Sequence, residues 1–374
     1  MYTPPTVPRF MLIGLSYPRE NDEDLYADFE EIESLVKTYG GQVFAAVVQN
    51  SSRGDMDTFI GHGKVDEVSA LIEKEKIDVV VINVAIKPGQ LHALTLAFEK
   101  VNPQIKVWDR VSLILEIFSK HAKTAESKLQ IKFAKIRQMG PRIYGMGYEL
   151  SNQAAGVGAK GVGESNTEIM LRHYRDAKKK IQDDLGSLLK RKQEQIAHRK
   201  KDGLKTISLV GYTNAGKSTL FNKITGEKDL VQDALFATLD STVNKFYLHA
   251  LESEVYLSDT IGFIKDLPPQ LIDTFKSTLL ESVHADLILH VIDSSDKRME
   301  EKILTVEEIL QELNIKRENV VYVFNKIEKA EGFDKEKILN HYAEFSPQFV
   351  SAKSGQGIEE LLTHIAQRLS NLNS

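Results

Sequence analysis

The stretch ISLVGYTNAGKSTLFNKIT, residues 207–225, decides the fold of the last part of this chain. An apolar run of strand length leads into the spacing G-x-x-x-x-G-K-S, and a helical pattern follows. In this context Gly211 and Gly216 let backbone N–H groups close around phosphate oxygens at a helix N-terminus. Lys217 would add a cation at the β- and γ-phosphates, and Ser218 a hydroxyl ligand for Mg²⁺. The stretch therefore predicts a P-loop; the alternative is a turn that only caps a helix.

A second carboxylate for Mg²⁺ is predicted in EVYLSDTIG, residues 254–262. Asp259 follows an apolar strand downstream of the P-loop, and the end of a neighbouring strand would bring it close to Ser218. The N–H group of Gly262 could then bond the γ-phosphate and respond to its loss. Asp-x-x-Gly is common by itself, but after a P-loop it indicates a nucleoside triphosphatase.

The intervening segment DALFATLDSTVNKF, residues 233–246, stands where GTPases keep the switch that closes over Mg²⁺ and the γ-phosphate. Thr238 is the predicted switch residue, and Thr242 is the reserve. Either hydroxyl would otherwise be an ordinary surface group in a loop.

Two further motifs follow predicted strands and concern the base. Asn325, Lys326 and Glu328 belong to NKIE, which differs from the guanine-reading Asn-Lys-x-Asp by one methylene in its carboxylate. A carboxylate of either length accepts from guanine and is repelled by the lone pair of adenine N1, so a weaker but guanine-selective site is predicted. The segment Ser351-Ala352-Lys353 could approach guanine O6 through backbone N–H groups; the alternative is a plain loop.

The sequence upstream divides by pattern and charge into two more blocks. Residues 1–119 carry a net charge of -7 and alternate strand-like with helix-like stretches, which predicts a small α/β domain with a parallel sheet. Residues 120–205 carry +11 and read as two helices, predicted to be antiparallel, around a glycine-rich loop. Residues 206–374 carry -9 and predict a doubly wound nucleotide-binding domain. The basic block fits either a phosphate backbone or a solvated helix face.

Composition excludes several other classes. The chain has no cysteine, and its ten histidines never take a metal-ligand spacing, so neither disulfides nor zinc are expected. The sequence contains no apolar run of membrane-spanning length, and the first residues, MYTPPTVPRF, lack the layout of a signal peptide. A cytoplasmic protein without a membrane partner is the resulting expectation.

The whole chain resembles the HflX family of ribosome-associated GTPases, whose G domains are related to those of translation factors. The resemblance rests on GYTNAGKSTLFN, LFATLD and DTIGFI, together with VWDRVSLILEIFSKHAKTAESKLQ and GVGAKGVGE upstream. It implies a helical hairpin whose glycine-rich loop reaches into the large (50S) ribosomal subunit and its RNA. It also implies GTP-dependent splitting of stalled or idle 70S ribosomes, with GTP and Mg²⁺ as ligands. A monomer is expected.

Motif and resemblance together give the candidate residues. Catalytic roles are assigned to Lys217, Thr238 and Gly262. Ser218, Thr238 and Asp259 are the predicted ligands of Mg²⁺. RNA contacts are assigned to Gly156, Gly158, Lys160, Gly161 and Gly163. The nucleotide is expected to contact Gly211, Tyr212, Thr213, Asn214, Ala215, Gly216, Lys217, Ser218, Thr219, Phe236, Ala237, Thr238, Asp259, Thr260, Ile261, Gly262, Asn325, Lys326, Glu328, Ser351, Ala352 and Lys353.

Some positions depart from the pattern of related enzymes. Phe263 stands where Ras-like enzymes have a water-orienting Gln, so slow hydrolysis is expected until the large subunit or an ion completes the site. In related GTPases with such an apolar residue, the position of Asn214 helps to hold K⁺. Ser241 replaces a family proline, and Lys160 replaces an arginine in the loop, where alanines also replace two glycines and Val162 a proline. These changes remove an Arg-specific RNA contact and leave the switch less fixed.

Two other functions remain open from the sequence. GHGK, residues 61–64, could bind ATP in an RNA-remodelling enzyme, although it lacks P-loop spacing and could be a tight turn that starts a helix. A nucleotide-regulated scaffold with little turnover is the other alternative. Nucleotide competition would separate the first alternative from a GTPase.

Overall fold

The computed structural model describes most of the chain. Its described residues are 7–16, 22–51, 53–138, 166–227, 235–236, 241–265, 271, 275–330, 332 and 334–371. All five residues predicted to contact RNA, and also Ala237 and Thr238, lie outside these ranges. By their internal contacts the residues form two compact units. One comprises Met1–Lys120 and Ile131–Asp184, and the other His121–Gln130 and Leu185–Ser374.

The first unit contains a four-stranded parallel sheet. Its strands are β1 (Arg9–Ser16), β2 (Gln42–Asn50), β3 (Val79–Ile82) and β4 (Lys106–Asp109), in the order β2-β1-β3-β4. The helices that connect and follow them are α1 (Asp22–Tyr39), α2 (His62–Glu75), α3 (Pro88–Glu99) and α4 (Arg110–His121). Parallel strands need crossover connections, which these helices supply. The predicted alternation is confirmed.

Apolar residues of β1 and β3 form the core of this sheet. Met11, Ile13, Val80 and Ile82 are buried against apolar residues of α2 and α3. β2 is an edge strand in which only Val47 is buried. The core thus lies under the central strands, as near-continuous apolar runs in a parallel sheet predict.

The described residues of the basic block, within residues 120–201, form two further helices and contain no strand. α5 covers residues 125–138, and α6 is the long helix Asn166–Lys201. Both belong partly to the first unit and partly to the second. In the second unit, α6 buries Leu185 and Ile196 and exposes most of its charged side chains.

The second unit contains a six-stranded sheet in the order β10-β9-β8-β5-β7-β6. Its strands are β5 (Lys205–Val210), β6 (Thr242–Leu248), β7 (Ser253–Asp259), β8 (Leu287–Asp293), β9 (Val320–Asn325) and β10 (Gln348–Phe349). Its helices are α7 (Lys217–Thr225), α8 (Lys276–Val283), α9 (Met299–Glu312), α10 (Lys335–His341) and α11 (Ile358–Asn371). Buried side chains of β5, β7, β8 and β9 meet those of α7 and α11 in one core. This is the predicted doubly wound α/β architecture.

β6 is a strand that the sequence patterns did not predict. It pairs antiparallel with β7, while the other described pairs of this sheet are parallel. An antiparallel partner needs only a short turn, which residues 249–252 provide. Its register places Thr242 opposite Asp259.

The described part of the chain has no helix that is both long and apolar enough to cross a membrane.

Candidate nucleotide site

The P-loop joins the end of β5 to the start of α7. Gly216 is the N-cap of α7, with a φ of 93° that favours glycine. A Cβ on Gly216 would stand 2.3 Å from Nδ2 of Asn325, so a side chain here would displace that amide. The N-terminal N–H groups of α7 have no partner within their own helix, which suits them to phosphate oxygens.

Lys217 is the buried cation of this loop, with only 6% of its surface exposed. Its Nζ donates to the carbonyl oxygens of Gly211 at 3.1 Å and Tyr212 at 2.9 Å. Burial lowers the pKa of Lys217 to about 8, and the charge of Asp259 opposes part of that shift. Neutral carbonyls hold the ammonium group without compensating its charge. The position therefore fits an anionic ligand such as a phosphate.

A hydroxyl and a carboxylate meet beside this lysine. Ser218 Oγ donates to Asp259 Oδ2 at 2.6 Å, and Asp259 is buried at the end of β7. The next residue, Thr260, donates from its hydroxyl to the carbonyl of Leu209 at 2.7 Å, which ties this strand end to β5. Hydroxyl and carboxylate oxygens are the hard donors that Mg²⁺ takes in phosphate sites. The pair of Ser218 and Asp259 therefore fits a Mg²⁺ ion.

The segment after Asp259 pairs with the P-loop. Thr213 N donates to the carbonyl of Phe263 at 2.7 Å, and Phe263 N donates to the carbonyl of Gly211 at 3.1 Å. Tyr212 Oη accepts from the N–H of Lys265 at 2.8 Å. A Cβ on Gly262 would stand 3.0 Å from Lys217 Nζ, so the backbone passes directly beside the cation. Gly262 thus lies next to Lys217, and its role at the γ-phosphate stays a prediction.

The side chain of Phe263 is fully buried, with 0% exposure. It therefore lies in the interior of the second unit. A buried benzyl group cannot hold or orient a water molecule. The residue that orients attacking water in Ras-like enzymes therefore has no counterpart at this position.

Asn325 links the three motifs of the base-reading region. Its Nδ2 donates to the carbonyl of Ala215 at 2.9 Å, and its Oδ1 accepts from the N–H of Ala352 at 2.9 Å. Lys326 Nζ donates to the carbonyl of Asn214 at 2.7 Å and to Asp293 Oδ2 at 2.7 Å. NKIE, the P-loop and the Ser-Ala-Lys segment are therefore in contact at the carboxyl ends of the parallel strands.

The outer residues of these motifs differ in exposure. Glu328 and Lys353 are exposed, while Ser351 is buried and accepts through Oγ from the N–H of Ser354 at 3.1 Å. Glu328 lies in a turn in which Lys329 N donates to the carbonyl of Lys326 at 2.9 Å. Glu328 is thus exposed to solvent, three residues after the buried Asn325.

The other predicted contacts surround this centre. Phe236 is buried with a φ of 58°, and Thr242, the reserve switch residue, is held in β6 opposite Asp259. Thr219 is half-buried in α7 and Ile261 is buried next to Gly262. The described structure thus brings the predicted P-loop, carboxylate and base-reading residues together.

Asp293 is a residue of this region that the motif analysis missed. It ends β8, pairs with Lys326, and accepts from the N–H and hydroxyl of Ser295 at 3.0 and 2.7 Å. Its place after an apolar strand was a usable signal, because parallel strands end at the same edge of a sheet. Its pairing with Lys326 could not be read from local spacing.

The conformation of GHGK, residues 61–64, differs from that of a P-loop. α2 begins at His62, and its N-cap Gly61 has an ordinary extended conformation with φ of -62°. Gly61 N donates to Gln49 Oε1 at 2.9 Å, and Lys64 pairs with Glu67 of its own helix at 2.7 Å. The described contacts are those of a turn that starts a helix.

Three family models match this chain. They are described as GTP-binding GTPase N-terminal over residues 26–119, GTP-binding GTPase Middle Region over residues 121–199, and 50S ribosome-binding GTPase over residues 206–326. The three matches follow one another along the chain and together span well over half of it.

Full-length relatives agree with these matches. GTPase HflX of Caldanaerobacter subterraneus subsp. tengcongensis is 37% identical over 96% of this chain and 80% of its own length. GTPase HflX of Escherichia coli is 35% identical over 96% of this chain and 82% of its own length. A solved GTP-binding protein from the archaeon Sulfolobus solfataricus, in complex with GDP, has a TM-score of 0.51 at 23% identity. That alignment covers 98% of this chain and 100% of the archaeal one, and it shows a shared fold.

Proposed function

Because this chain belongs to the HflX family of GTPases, we propose that it uses GTP binding and hydrolysis to bind the large ribosomal subunit and to split stalled or idle 70S ribosomes. The observation that carries the GTP site is the convergence of Lys217, the Ser218–Asp259 pair and Asn325 at one edge of the sheet. We assign the cycle to a monomer in the cytoplasm.

Each residue of the site has a distinct task in this proposal. Lys217 and the first N–H groups of α7 hold the β- and γ-phosphate oxygens of GTP, and Asn325 fixes the loops that enclose guanine. Ser218, Asp259 and Thr238 hold Mg²⁺, which supplies positive charge to the phosphate oxygens when it is bound. Water then attacks the γ-phosphorus, the bond to the β–γ bridging oxygen breaks, and GDP and phosphate leave. Gly262 loses its γ-phosphate partner at that step.

Slow turnover by the protein alone is the expected consequence of Phe263. Its buried benzyl side chain cannot orient the attacking water as the Gln of Ras-like enzymes does. A partner must then complete the site, and the large ribosomal subunit is the partner that the family match favours. The glycine-rich loop, with Lys160 as its cation, is the proposed contact with ribosomal RNA, because glycines and a cation suit RNA shape and phosphates.

A potassium ion is a second proposed contribution to hydrolysis. Asn214 lies in the P-loop with a φ of 60°, is exposed, and has its carbonyl next to the ammonium group of Lys326. A monovalent cation near Asn214 would offset charge that develops on the β–γ bridging oxygen, as an arginine finger does. The expected result is faster hydrolysis in K⁺ than in Na⁺ at equal ionic strength; equal rates contradict the assignment.

The decisive experiment measures GTP and ATP hydrolysis with no particles, with purified large subunits, and with purified small subunits. The expected result is stimulation of GTP hydrolysis by the large subunit alone and little ATP hydrolysis under any condition. Sedimentation of 70S ribosomes with protein and a non-hydrolysable GTP analogue should then show separated subunits. No response to the large subunit would remove ribosome binding from the proposal, and intact 70S particles would remove splitting.

The described contacts favour neither alternative function. Lys64 of GHGK pairs with Glu67, so the described contacts of this segment are not those of a phosphate cradle comparable with the P-loop. An ATPase activity that survives excess GTP and loss of Lys217 would restore the RNA-remodelling alternative. A scaffold would bind GTP with the large subunit present and not hydrolyse it.

A further inference from the structure

Two cations of α6 bind the nucleotide domain within the second unit. Lys192 Nζ donates to Ser241 Oγ at 2.9 Å. Arg199 Nη2 donates to both carboxylate oxygens of Glu281, at 2.8 and 3.0 Å. Residues seven apart lie on the same side of a helix after two turns. One face of α6 therefore makes both contacts.

The contact of Lys192 lies next to the proposed metal site. Ser241 directly precedes Thr242, and Thr242 pairs with Asp259 across the antiparallel strands β6 and β7. Asp259 in turn accepts from Ser218 at 2.6 Å. Because backbone pairing transmits displacement between neighbouring strands, the position of Ser241 bears on that of Asp259. Lys192 is the α6 side chain that fixes Ser241.

The contact of Arg199 lies next to the strand that leads into the P-loop. Glu281 of α8 is only 4% exposed, and the hydroxyls of its neighbour Ser282 and of Ser208 in β5 are 2.8 Å apart. The guanidinium of Arg199 also lies 5.1 Å from the centre of the Tyr256 ring in β7. A buried carboxylate held by two charge-assisted hydrogen bonds is strongly oriented. Arg199 thus attaches α6 to α8 and to β7, the strand that pairs with β5.

We propose that Lys192 and Arg199 are positioning residues for GTP hydrolysis, and that through them α6 responds to the nucleotide in the site. Lys192 fixes the strand beside Asp259, and Arg199 fixes the helix beside β5. The inference rests on GTP hydrolysis at the proposed site and is independent of ribosome binding. By linkage, whatever stabilises this position of α6 also favours the nucleotide state that produces it.

The first test measures single-turnover GTP hydrolysis without ribosomes in Lys192→Met and Ser241→Ala. Each loses the same hydrogen bond, so each rate is expected to fall about three- to tenfold, the effect of about one hydrogen bond. The double variant should be no slower than either single variant, because the two groups act as one pair. The Mg²⁺ concentration needed for half the maximal rate should rise in all three. Lys192→Arg should restore most of the rate.

The matched control is Lys190→Met, which changes an exposed lysine of the same helix close to Lys192. It should keep both the rate and the Mg²⁺ requirement of the unchanged protein. GDP affinity without Mg²⁺ should be equal in all variants, because the Lys192–Ser241 contact lies at the metal side of the site. Arg199→Lys keeps the charge but loses the two-pronged geometry, and its rate should fall about two- to fivefold.

A second measurement follows α6 directly. The chain has no cysteine, so Gln193→Cys, at an exposed position of α6, allows a single fluorescent label. Its emission should differ between GDP and a non-hydrolysable GTP analogue. Lys192→Met and Ser241→Ala should abolish that difference, and Lys190→Met should keep it.

Clear results would overturn the inference. Rates and Mg²⁺ requirements of Lys192→Met and Ser241→Ala equal to those of Lys190→Met would show that the contact only holds the fold. If Lys192→Met also loses GDP affinity, the small change Ser241→Ala decides between positioning and folding. Absence of hydrolysis in the unchanged protein would instead count against the proposed GTPase cycle.

Discussion

The two sheets of this protein differ in how buried cations near the carboxyl ends of their parallel strands are compensated. In the N-terminal sheet, Arg110 follows β4, is 3% exposed, forms an ion pair with the buried Glu31, and donates to Asn83 Oδ1 at 3.2 Å. In the C-terminal sheet, Lys217 is equally buried, but its ammonium group is held by neutral carbonyls of the P-loop. One cation is compensated by its own domain, and the other is not.

A shared architecture therefore does not make a shared site. The end of β4 is also closed by Asp109, which accepts from the N–H of Ser112 at 2.8 Å and from Gln138 Nε2 at 3.2 Å. The low pKa of Lys217, about 8, is the electrostatic sign that its charge lacks a full partner. The comparison teaches that an uncompensated buried charge at a strand end marks the ligand site, more than the topology does.

The largest expected effect concerns Arg110, the buried cation that is compensated by Glu31 in the N-terminal domain. Arg110→Met removes the cation that faces the buried Glu31, and the N-terminal sheet should lose about 3 to 5 kcal/mol of unfolding free energy. Trp108 in β4 is the only tryptophan of the chain, so its fluorescence reports unfolding of this sheet. GTP affinity should be unchanged. Lys64→Met, which breaks an exposed pair in the same domain, is the control and should cost less than about 1 kcal/mol. A GTP affinity lost together with the Trp108 transition would contradict the separation.

The next effect concerns Lys217, the buried cation of the P-loop. Lys217→Met should lower GTP hydrolysis by about 10² to 10³-fold, because the phosphates lose their buried cation. The unfolding transition of Trp108 should stay where it is. Hydrolysis by Lys64→Met should equal that of the unchanged protein, and a loss there would mean that the N-terminal sheet also serves a nucleotide.

A smaller effect concerns the base at the same end. Glu328 is exposed, three residues after the buried Asn325, and its side chain is one methylene longer than the aspartate of Asn-Lys-x-Asp, so we expect imperfect pairing with guanine. Glu328→Asp should tighten GTP binding by roughly 5- to 150-fold, which corresponds to about 1 to 3 kcal/mol. Equilibrium titration with a fluorescent GTP analogue measures this, with the ATP analogue as control. Unchanged or weaker binding would show that the turn is adapted to Glu328.

The smallest effect comes from pH. Phosphates should raise the pKa of Lys217 above the value of about 8 that it has without a ligand, so nucleotide binding takes up a proton at high pH. GTP affinity should then fall above pH 8 by up to about tenfold for each pH unit, and this group should cause no change below pH 7. Titration calorimetry at pH 9 in two buffers of different ionisation enthalpy would detect the uptake. An affinity that is flat from pH 7 to 9.5 would contradict the compensation argument.

Much of the fold followed from local patterns in the sequence. Alternating strand-like and helix-like stretches predicted the alternation seen from β1 to β4, because parallel pairing requires a crossover between strands. β6 escaped this reading because its segment was interpreted only as a switch, and its outward residues are polar. Its antiparallel register with β7, which sets Thr242 beside Asp259, is a property of the sheet.

The residues of the candidate site likewise include some that motif spacing identified and some that it missed. Lys217, Ser218, Asp259 and Asn325 were identified from motif spacing. Asp293 was not, because its partner Lys326 follows the next strand, β9, and lies 33 residues further along the chain. The contact between Lys192 and Ser241 had no signal at all, since a lysine in a basic helix looks like any solvated charge.

The sequence by itself determined what depends on neighbouring residues: the strand, glycine loop and helix of the P-loop, the α/β class of both sheets, and the basic helices between them. Only the tertiary structure decided which distant polar groups meet. It formed the hydrogen bond between Asn325 and Ala215, the ion pair between Arg110 and Glu31, and the hydrogen bond between Lys192 and Ser241. The physical reason is that backbone geometry is fixed over a few residues, whereas charge compensation depends on sheet order and register, which no local spacing contains.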